Sequence, residues 1–316
     1  MAKKKIILDL DTGIDDALAL AYCLNSIAAD LIGITCTYGN VLLQTGARNA
    51  LAILHLFGRD DVPVYLGLSH SRTSEKFELA PMAARIHGTN GIGDVEIPDS
   101  PRSPEKTPAV DFIIDAANTY GENLIYVPTG PLTNLAAVLD KDPSFKEKVG
   151  RVVMMGGALT VRGNIRPYAE ANVYKDPEAA DLVFRSGLDL TMVGLDVTNR
   201  TLLTKDQTAS WRELGTPAGA FLADMADYYI DYSTRNIGFA GCALHDPLAV
   251  AAALDPALIT TIDVNMCVDL DGATRGRTIG DHLLQNVFPK TTHVAIDVNV
   301  PRFLSKFMTR TIAVAK

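Results

Sequence analysis

Four carboxylates lie within eight residues near the start of the chain, an arrangement that can bind a cation. Asp9 and Asp11 share one face of a predicted strand, because side chains alternate along a strand with a period of two. Asp15 and Asp16 are expected at the start of the following helix, where the helix dipole favours negative charge. Gly13 permits the tight turn between the two pairs. Since oxygen-only ligands select hard cations, this stretch predicts a site for Ca²⁺ or Mg²⁺.

The neutralisation of these four acids needs an explanation, because no basic residue lies between Lys5 and Arg48. Three explanations remain open from the residues alone: some of the carboxyls are protonated, distant arginines reach the cluster, or a metal ion binds there. A solvated helix start accounts for the second pair of acids. It explains the first pair poorly, because that pair follows an apolar strand, and we therefore favour the metal.

Polar and small residues also follow the later predicted strands, at 38–40, 128–131 and 156–157. Parallel sheets bind ligands at the carboxyl ends of their strands, so these positions are expected around one site. Farther along the chain, Glu170 and Asn172 are spaced by two and can face the same way. Such a pair suits a hydroxyl-rich ligand, although a plain loop explains it equally well.

Two Asp-Pro pairs predict helix starts, at Asp176-Pro177 and at Asp246-Pro247. An aspartate at this position is typical of a helix N-cap, and proline is favoured at the first helical residue. His245 beside the second pair is a candidate acid or base, because the ordinary pKa of histidine lies near neutrality.

The chain alternates β-branched runs with helical stretches, which predicts an α/β fold with a mostly parallel sheet covered on both faces. Strands are predicted near 6–8, 31–37, 62–66, 124–127, 152–155 and 190–193, with possible strands at 258–268 and 275–279. Helices are predicted near 17–25, 42–57, 109–119, 132–140, 177–186, 202–236, 247–253 and 301–310. No linker is evident, so residues 1–316 are expected to form one domain. The loop at 68–107 is long enough to be a lid.

Composition excludes several classes of function. The 316 residues include 29 basic and 37 acidic side chains, for a net charge of −8, which argues against binding of nucleic acid or an anionic membrane. No segment is long and apolar enough to span a bilayer. The four cysteines form no paired motif and are expected as buried free thiols. No secretory signal is evident, and we expect a cytoplasmic protein.

A set of motifs in order along nearly the whole chain carries a family likeness. The motifs are DLDTGIDDALAL at 9–20, YGN at 38–40, RIHGTNGIGD at 85–94, VPTGPLTN at 127–134, MMGGA at 154–158, GN at 163–164, AEANVYKDPEAA at 169–180, MVGLDVT at 192–198 and HDPLAV at 245–250. With these motifs the chain resembles the inosine–uridine-preferring nucleoside hydrolases. The resemblance implies a single domain with a Rossmann-like central sheet.

The resemblance also implies roles for individual residues. It implies a Ca²⁺ cofactor held by Asp11, Asp16, the backbone carbonyl of Thr129 and Asp246. It implies ribose contacts from Asp15, Asn40, Asn164, Glu170 and Asn172, with support of the acidic loop from Asp9. Tyr229 is expected to cover the base, with Tyr228 and Tyr232 as neighbouring candidates, and His87 in the long loop is a candidate for substrate binding.

The implied reaction is hydrolysis of the N-glycosidic bond of a ribonucleoside to free base and ribose. A bound cation lowers the pKa of its water, and Asp11 then takes the proton as general base. The bond breaks through an oxocarbenium-like state, and His245 is expected to protonate the leaving base. By analogy with relatives, we expect a homodimer or homotetramer.

Some features depart from the family pattern. Thr12 stands where the family usually has proline, and Asn199 where it often has histidine. The single tryptophan, Trp211, does not resemble the stacking tryptophans of purine-specific members, which favours a nonspecific or pyrimidine-leaning enzyme acting on uridine and inosine. The alternatives are a hydrolase of a modified nucleoside, a non-catalytic nucleoside-binding protein, and a phosphatase of the haloacid dehalogenase type. In the last of these, the acidic motif continues Gly-Thr rather than Thr12-Gly13.

Overall fold

The computed structural model describes residues 3–316. Its strands are β1 (Lys4–Leu10), β2 (Ala29–Cys36), β3 (Val64–Leu66), β4 (Leu124–Pro128), β5 (Arg151–Met155), β6 (Leu190–Val193), β7 (Leu202–Leu203), β8 (Cys242–Ala243), β9 (Ile259–Val264), β10 (Met266–Val268), β11 (Thr278–Gly280) and β12 (Thr292–Val298). Its helices are α1 (Ile14–Leu24), α2 (Leu43–Leu56), α3 (Pro81–His87), α4 (Ala109–Tyr120), α5 (Thr133–Lys141), α6 (Phe145–Lys148), α7 (Ala171–Lys175), α8 (Pro177–Arg185), α9 (Leu195–Thr198), α10 (Lys205–Arg212), α11 (Pro217–Asn236), α12 (His245–Leu254) and α13 (Val300–Val314).

Eight of these strands form one sheet in the order β3-β2-β1-β4-β5-β6-β12-β9. Neighbouring strands run parallel except for β9, which pairs antiparallel with β12 at the edge. Helices cover both faces of the sheet, and the predicted α/β fold is confirmed. Within residues 3–316, no helix has the length and apolar character needed to cross a membrane.

The central strand β1 is buried on both faces. Ile6 and Leu8 pack into one hydrophobic core with residues of α1, α11 and α12. Ile7 points the other way, into a second core with residues of α4, α5 and α8. The chain leaves β1 toward β2 on one side, whereas β4 lies on the other side, so strand order reverses between β1 and β4. In open α/β sheets this reversal creates a crevice at the carboxyl ends of the strands, and the acidic motif lies there.

Two differences from the sequence predictions concern the C-terminal half. The strand β12 was not predicted, yet it lies between β6 and β9 in the main sheet. The stretch predicted to be helical at 202–236 forms two separate helices, α10 and α11, and its first residues form the short strand β7. Gly215 between them adopts φ +66°, a left-handed conformation that favours glycine. Thr216 then accepts a hydrogen bond from the backbone of Gly219, and Pro217 begins α11.

The segment 68–107 contains the helix α3 and packs against α11. The hydroxyl of Tyr228 donates to the carbonyl of Ala84 at 3.5 Å, and that of Tyr232 lies 3.2 Å from Met82 Sδ. These contacts place the segment beside the candidate site. Closure of the segment as a lid stays a prediction.

Candidate active site

Asp9 lies at the end of β1 and is fully buried. Its carboxylate accepts hydrogen bonds from Thr35 Oγ1 at 2.7 Å, Asn134 Nδ2 at 2.8 Å and Tyr126 Oη at 2.7 Å. Burial raises the pKa of the Asp9 carboxyl to about 6, although these three donors favour the charged form. Asp9 therefore ties β1 to its neighbours β2 and β4 and to α5, in keeping with the support role that the resemblance implies.

Asp11 follows β1 directly and is fully buried. Its Oδ2 accepts a hydrogen bond from the backbone N–H of Asn40 at 2.6 Å, and Lys175 Nζ lies 3.2 Å from the same oxygen. Asn40 Nδ2 is 3.3 Å from Asp11 Oδ1. The backbone approaches closely at Gly39, where a Cβ atom would lie only 2.0 Å from Asp11 Oδ2. Glycine is therefore required at this position, and the contacts fix the orientation of the Asp11 carboxylate.

A group of three carboxylates lies beside Asp11. Oxygens of Asp15, Asp16 and Asp246 lie within 4.8 Å of one another, and all three residues are buried. Asp15 and Asp16 lie in the first turn of α1, and Asp246 lies in the first turn of α12. The helix α12 packs directly on α1, which brings together residues that are far apart in the sequence.

The pKa values of this group reflect burial and mutual repulsion. Burial, and after it the negative charge of Asp11, raises the pKa of Asp15 to about 7. The pKa values of Asp16 and Asp246 are raised well above the ordinary range, again mainly by burial and then by neighbouring carboxylates. Acids this close ionise together at neutral pH only if a positive partner is present.

The donor set fits a hard divalent cation. Asp15 Oδ1 and Asp246 Oδ2 are buried carboxylate oxygens with no hydrogen-bond partner among residues 3–316. Oxygens of this kind are rare unless a ligand satisfies them. Asp16 is bonded to the protein at both oxygens, by Thr129 Oγ1 at 2.8 Å and by the backbone N–H of Gly13 at 2.8 Å.

The structure groups the carboxylates differently from the ligand set implied by the resemblance. Asp16 and Asp246 belong to both sets, whereas the clustered group contains Asp15 in place of Asp11. The carbonyl of Thr129 accepts a hydrogen bond from Asn172 Nδ2 at 2.6 Å. Asp11 and Thr129 as cation ligands therefore stay predictions.

Glu170 is engaged by the backbone. Its Oε1 accepts from the N–H of Asn172 at 2.8 Å, and its Oε2 accepts from Val173 at 3.1 Å and Gly157 at 3.0 Å. It is the N-cap of α7 and is buried. Asn164 is exposed, and its Oδ1 accepts from the N–H of Ala171 at 2.9 Å. These contacts fix the loop 163–175 beside the acids, and ribose contacts from Glu170, Asn164 and Asn172 stay predictions.

Two histidines and a tyrosine line the side of the site formed by α3, α11 and α12. His87 Nδ1 accepts from the backbone N–H of Ile14 at 3.2 Å, and the rings of His87 and Tyr229 are 5.9 Å apart between centroids. His245 Nδ1 lies 2.7 Å from Thr198 Oγ1. Burial lowers the pKa of His87 to about 3 and that of His245 to about 4, so both rings are neutral at neutral pH.

The comparisons with known proteins point to the same family along nearly the whole chain. A family model described as inosine-uridine preferring nucleoside hydrolase matches residues 6–305. The chain belongs to this family. Among nucleoside hydrolases and nucleosidases, a probable uridine nucleosidase 2 of Arabidopsis thaliana is 35% identical over 316 residues, covering 98% of this chain and 97% of the relative.

Two further relatives carry different base preferences in their names. The pyrimidine-specific ribonucleoside hydrolase RihA of Escherichia coli O9:H4 is 35% identical, with 95% of each chain covered. A solved structure of a purine-preferring ribonucleoside hydrolase from Gardnerella vaginalis is 59% identical, has a TM-score of 0.97 and covers 99% of both chains. As a nucleoside hydrolase, this chain is an enzyme that cleaves the N-glycosidic bond of ribonucleosides, and the phosphatase and binding-protein alternatives are set aside.

Sequence reasoning missed several residues that contact the candidate site residues. Lys175 reaches Asp11 from 164 positions away, and no local pattern predicts that contact. Tyr126 and Thr198, the partners of Asp9 and His245, are also absent from the predicted site. Lys175 and Thr198 lie within the family motifs at 169–180 and 192–198, which is a usable signal for both, and the acids also needed a distant cation such as Lys175.

Proposed function

We propose that this nucleoside hydrolase uses a calcium ion held by the buried acids and that Asp11 is its general base. The observation that carries the proposal is the group of three buried carboxylates with two unpartnered oxygens beside an oriented Asp11. Asp16 and Asp246 would hold the ion, together with Asp11 and the carbonyl of Thr129. When bound, the ion would polarise the attacking water and anchor the ribose hydroxyls.

The chain's own residues supply the remaining chemistry. Asp11 accepts the proton of the attacking water, which adds to the anomeric carbon as the bond to the base breaks. Asp15, Asn40, Asn164, Glu170 and Asn172 bind and orient the ribose. Their negative and polar groups stabilise the positive charge that develops on the sugar. Nδ1 of His245 is engaged by Thr198, so Nε2 is the ring nitrogen left to serve the leaving base. The neutral ring first takes up a proton from solvent, then passes a proton from Nε2 to the leaving base and returns to its neutral form.

We propose a broad base preference that includes uridine and inosine. Trp211 is fully buried, and its Nε1 donates to Thr311 Oγ1 at 3.0 Å, so it is not placed to stack on a base. His87 and Tyr229 are the ring-bearing residues proposed to contact the base. A purine preference is the second candidate, favoured by the 59% identity to a relative named purine-preferring. A modified nucleoside as the natural substrate remains a further alternative.

A nucleoside panel tests the proposed function. Purified protein is incubated with uridine, cytidine, inosine and adenosine, and released ribose is measured as reducing sugar. This assay detects free ribose and not ribose 1-phosphate. We expect free ribose from uridine and inosine, with kcat/KM values within about tenfold of each other. A purine advantage above about a hundredfold would favour the second candidate. No ribose from any nucleoside at high enzyme concentration would contradict the proposed function.

A further inference from the structure

Lys175 brings a positive charge to the acid cluster, defined here as Asp11, Asp15, Asp16 and Asp246. Its side chain is only 17% exposed, and its Nζ lies 3.2 Å from Asp11 Oδ2. Among residues 3–316 it is the one lysine or arginine that forms an ion pair with any member of the cluster. It lies at the end of α7, which begins directly after Glu170.

We propose that Lys175 is a positioning residue that weakens cation binding by the acid cluster and holds Asp11 in its catalytic orientation. The proposal rests on the proposed function, because it assigns this lysine a role toward the same cation and the same base. Two aspects of the structure support it: the hydrogen-bond geometry around Asp11, and the short distance between the lysine charge and the acid cluster.

The geometry around Asp11 forms a closed set of contacts. Lys175 Nζ donates to Asp11 Oδ2 at 3.2 Å and to Asn40 Oδ1 at 3.3 Å. Asn40 in turn donates to both Asp11 oxygens, through its backbone N–H at 2.6 Å and through Nδ2 at 3.3 Å. Removal of the Lys175 ammonium group takes away the donor to Asn40 Oδ1. It also leaves Asp11 Oδ2 with one donor, the backbone N–H of Asn40, instead of two. The Asp11 carboxylate then gains rotational freedom, which lowers the fraction of molecules in which it faces the water.

The charge of Lys175 also reaches beyond Asp11. Asn40, which accepts from Lys175, has its Nδ2 atom 3.3 Å from Asp11 Oδ1 and 3.3 Å from Asp16 Oδ2, so the ammonium group lies close to Asp16 as well. A divalent cation bound by the cluster is therefore repelled by the ammonium group through a buried, weakly screened space. The nucleoside hydrolase gives up some cation affinity and in return keeps its general base aligned.

The test compares calcium affinity with catalysis. Lys175→Met and Lys175→Arg are stripped with a chelator, titrated with calcium chloride by isothermal calorimetry, and assayed on uridine for kcat and KM. Lys175→Met is expected to bind calcium about tenfold more tightly, equal to about 1.4 kcal/mol. Its kcat is expected to fall about tenfold, with a smaller change in KM. Lys175→Arg keeps the charge and is expected to stay close to wild type in both readouts.

Matched variants separate this role from a general structural one. Lys141→Met removes an exposed lysine that pairs with Asp111, and it is expected to change neither readout. Loss of packing at Lys175 would weaken calcium binding and catalysis together, whereas the proposal requires them to change in opposite directions. If Lys175→Met does not fold, Lys175→Gln provides the same comparison without the charge.

The outcomes distinguish this proposal from the proposed function. Unchanged or weaker calcium binding by Lys175→Met, in a wild-type background that binds calcium and releases ribose, overturns the role of Lys175 alone. A wild-type protein that binds no calcium overturns both the calcium proposal and this one. Tighter calcium binding with reduced kcat supports the role of Lys175.

Discussion

The carboxylate oxygens of the site differ in how many hydrogen-bond donors they have, and this difference shows how firmly the protein holds each side chain. Asp9 has three side-chain donors, and Asp16 is bonded at both oxygens. Asp15 and Asp246 each keep one buried oxygen without a partner in the described part of the chain. The donors on Asp9 and Asp16 hold the loops in place, and each carboxylate oxygen keeps a second lone pair beside the one that a donor uses. The unpartnered oxygens of Asp15 and Asp246 lack even that first donor and are fully available to a ligand.

His245 is predicted to act on the leaving base. His245→Ala should lower kcat/KM on uridine by about 10²–10⁴-fold, because uracil leaves poorly without a proton. The loss should be much smaller on a nitrophenyl riboside, whose leaving group needs no protonation. Steady-state kinetics on both substrates measure this difference. Equal losses on the two substrates would remove His245 as the acid.

The neutral state of the His245 ring bears on this role. Burial lowers the pKa of His245 to about 4, so the ring carries no permanent positive charge at neutral pH. A neutral imidazole with Nδ1 on Thr198 presents Nε2 as a donor only in the tautomer protonated at Nε2. In that tautomer Nδ1 accepts a hydrogen bond from the hydroxyl of Thr198.

At the scale of elements, the start of the chain illustrates what local pattern can predict. The apolar strand, the glycine turn and the acid pair of the first helical turn are all encoded within a few residues, and β1 and α1 form as predicted. The parallel pairing of β1 with β4 then places Thr129 beside Asp9, to whose carbonyl its N–H donates at 2.9 Å, and places Gly130 beside Asp11. The alternation of strands and helices predicted a parallel sheet, and a parallel sheet was sufficient to predict a site at the carboxyl ends of its strands.

The strand β12 shows where local pattern fails. Its residues include Asp297, which is exposed, and His293, which is partly exposed. These polar residues interrupt the apolar pattern from which a strand is predicted. Its place in the sheet depends on pairing with β6, a partner distant in the sequence. Lys175 was missed for the same reason, because its contact with Asp11 exists only in the folded chain.

His293 on β12 forms a pH-dependent link to Asp263 on β9 and to Asp189, which directly precedes β6. Partial burial lowers its pKa, but its ring nitrogens lie 2.6 Å from Asp263 and 2.7 Å from Asp189, and these hydrogen bonds raise the pKa overall. Because the pKa of His293 is higher in the folded chain, its protonation stabilises the fold. This contribution is fully present below the pKa of the unfolded chain, near 6.5, and is lost as pH rises through the pKa of the folded chain.

His293→Gln should therefore cost more stability in acid than in alkali. The expected loss is at most about 1 kcal/mol near pH 5.5, since the pair is partly exposed, and close to zero well above neutrality. Urea unfolding at both pH values gives the free energy of unfolding, with His282→Gln as a control at an exposed histidine. An equal loss at both pH values would contradict a charge-based link.

At the scale of the whole molecule, the net charge of −8 has a local component. Four of the acids are buried around one point, and Lys175 offsets only part of their charge. The family match across residues 6–305 and the single central sheet make the chain one nucleoside hydrolase domain. A homodimer or homotetramer and a cytoplasmic location stay predictions.

The most direct measurement is ribose release by protein stripped with a chelator, with and without added calcium. Wild-type protein should lose hydrolysis of uridine and inosine on stripping and regain it with calcium. Asp11→Ala should stay about 10²–10⁴-fold slower in kcat even at saturating calcium, because the general base is gone. Full activity in stripped wild-type protein, or a full rate in Asp11→Ala, would contradict the account.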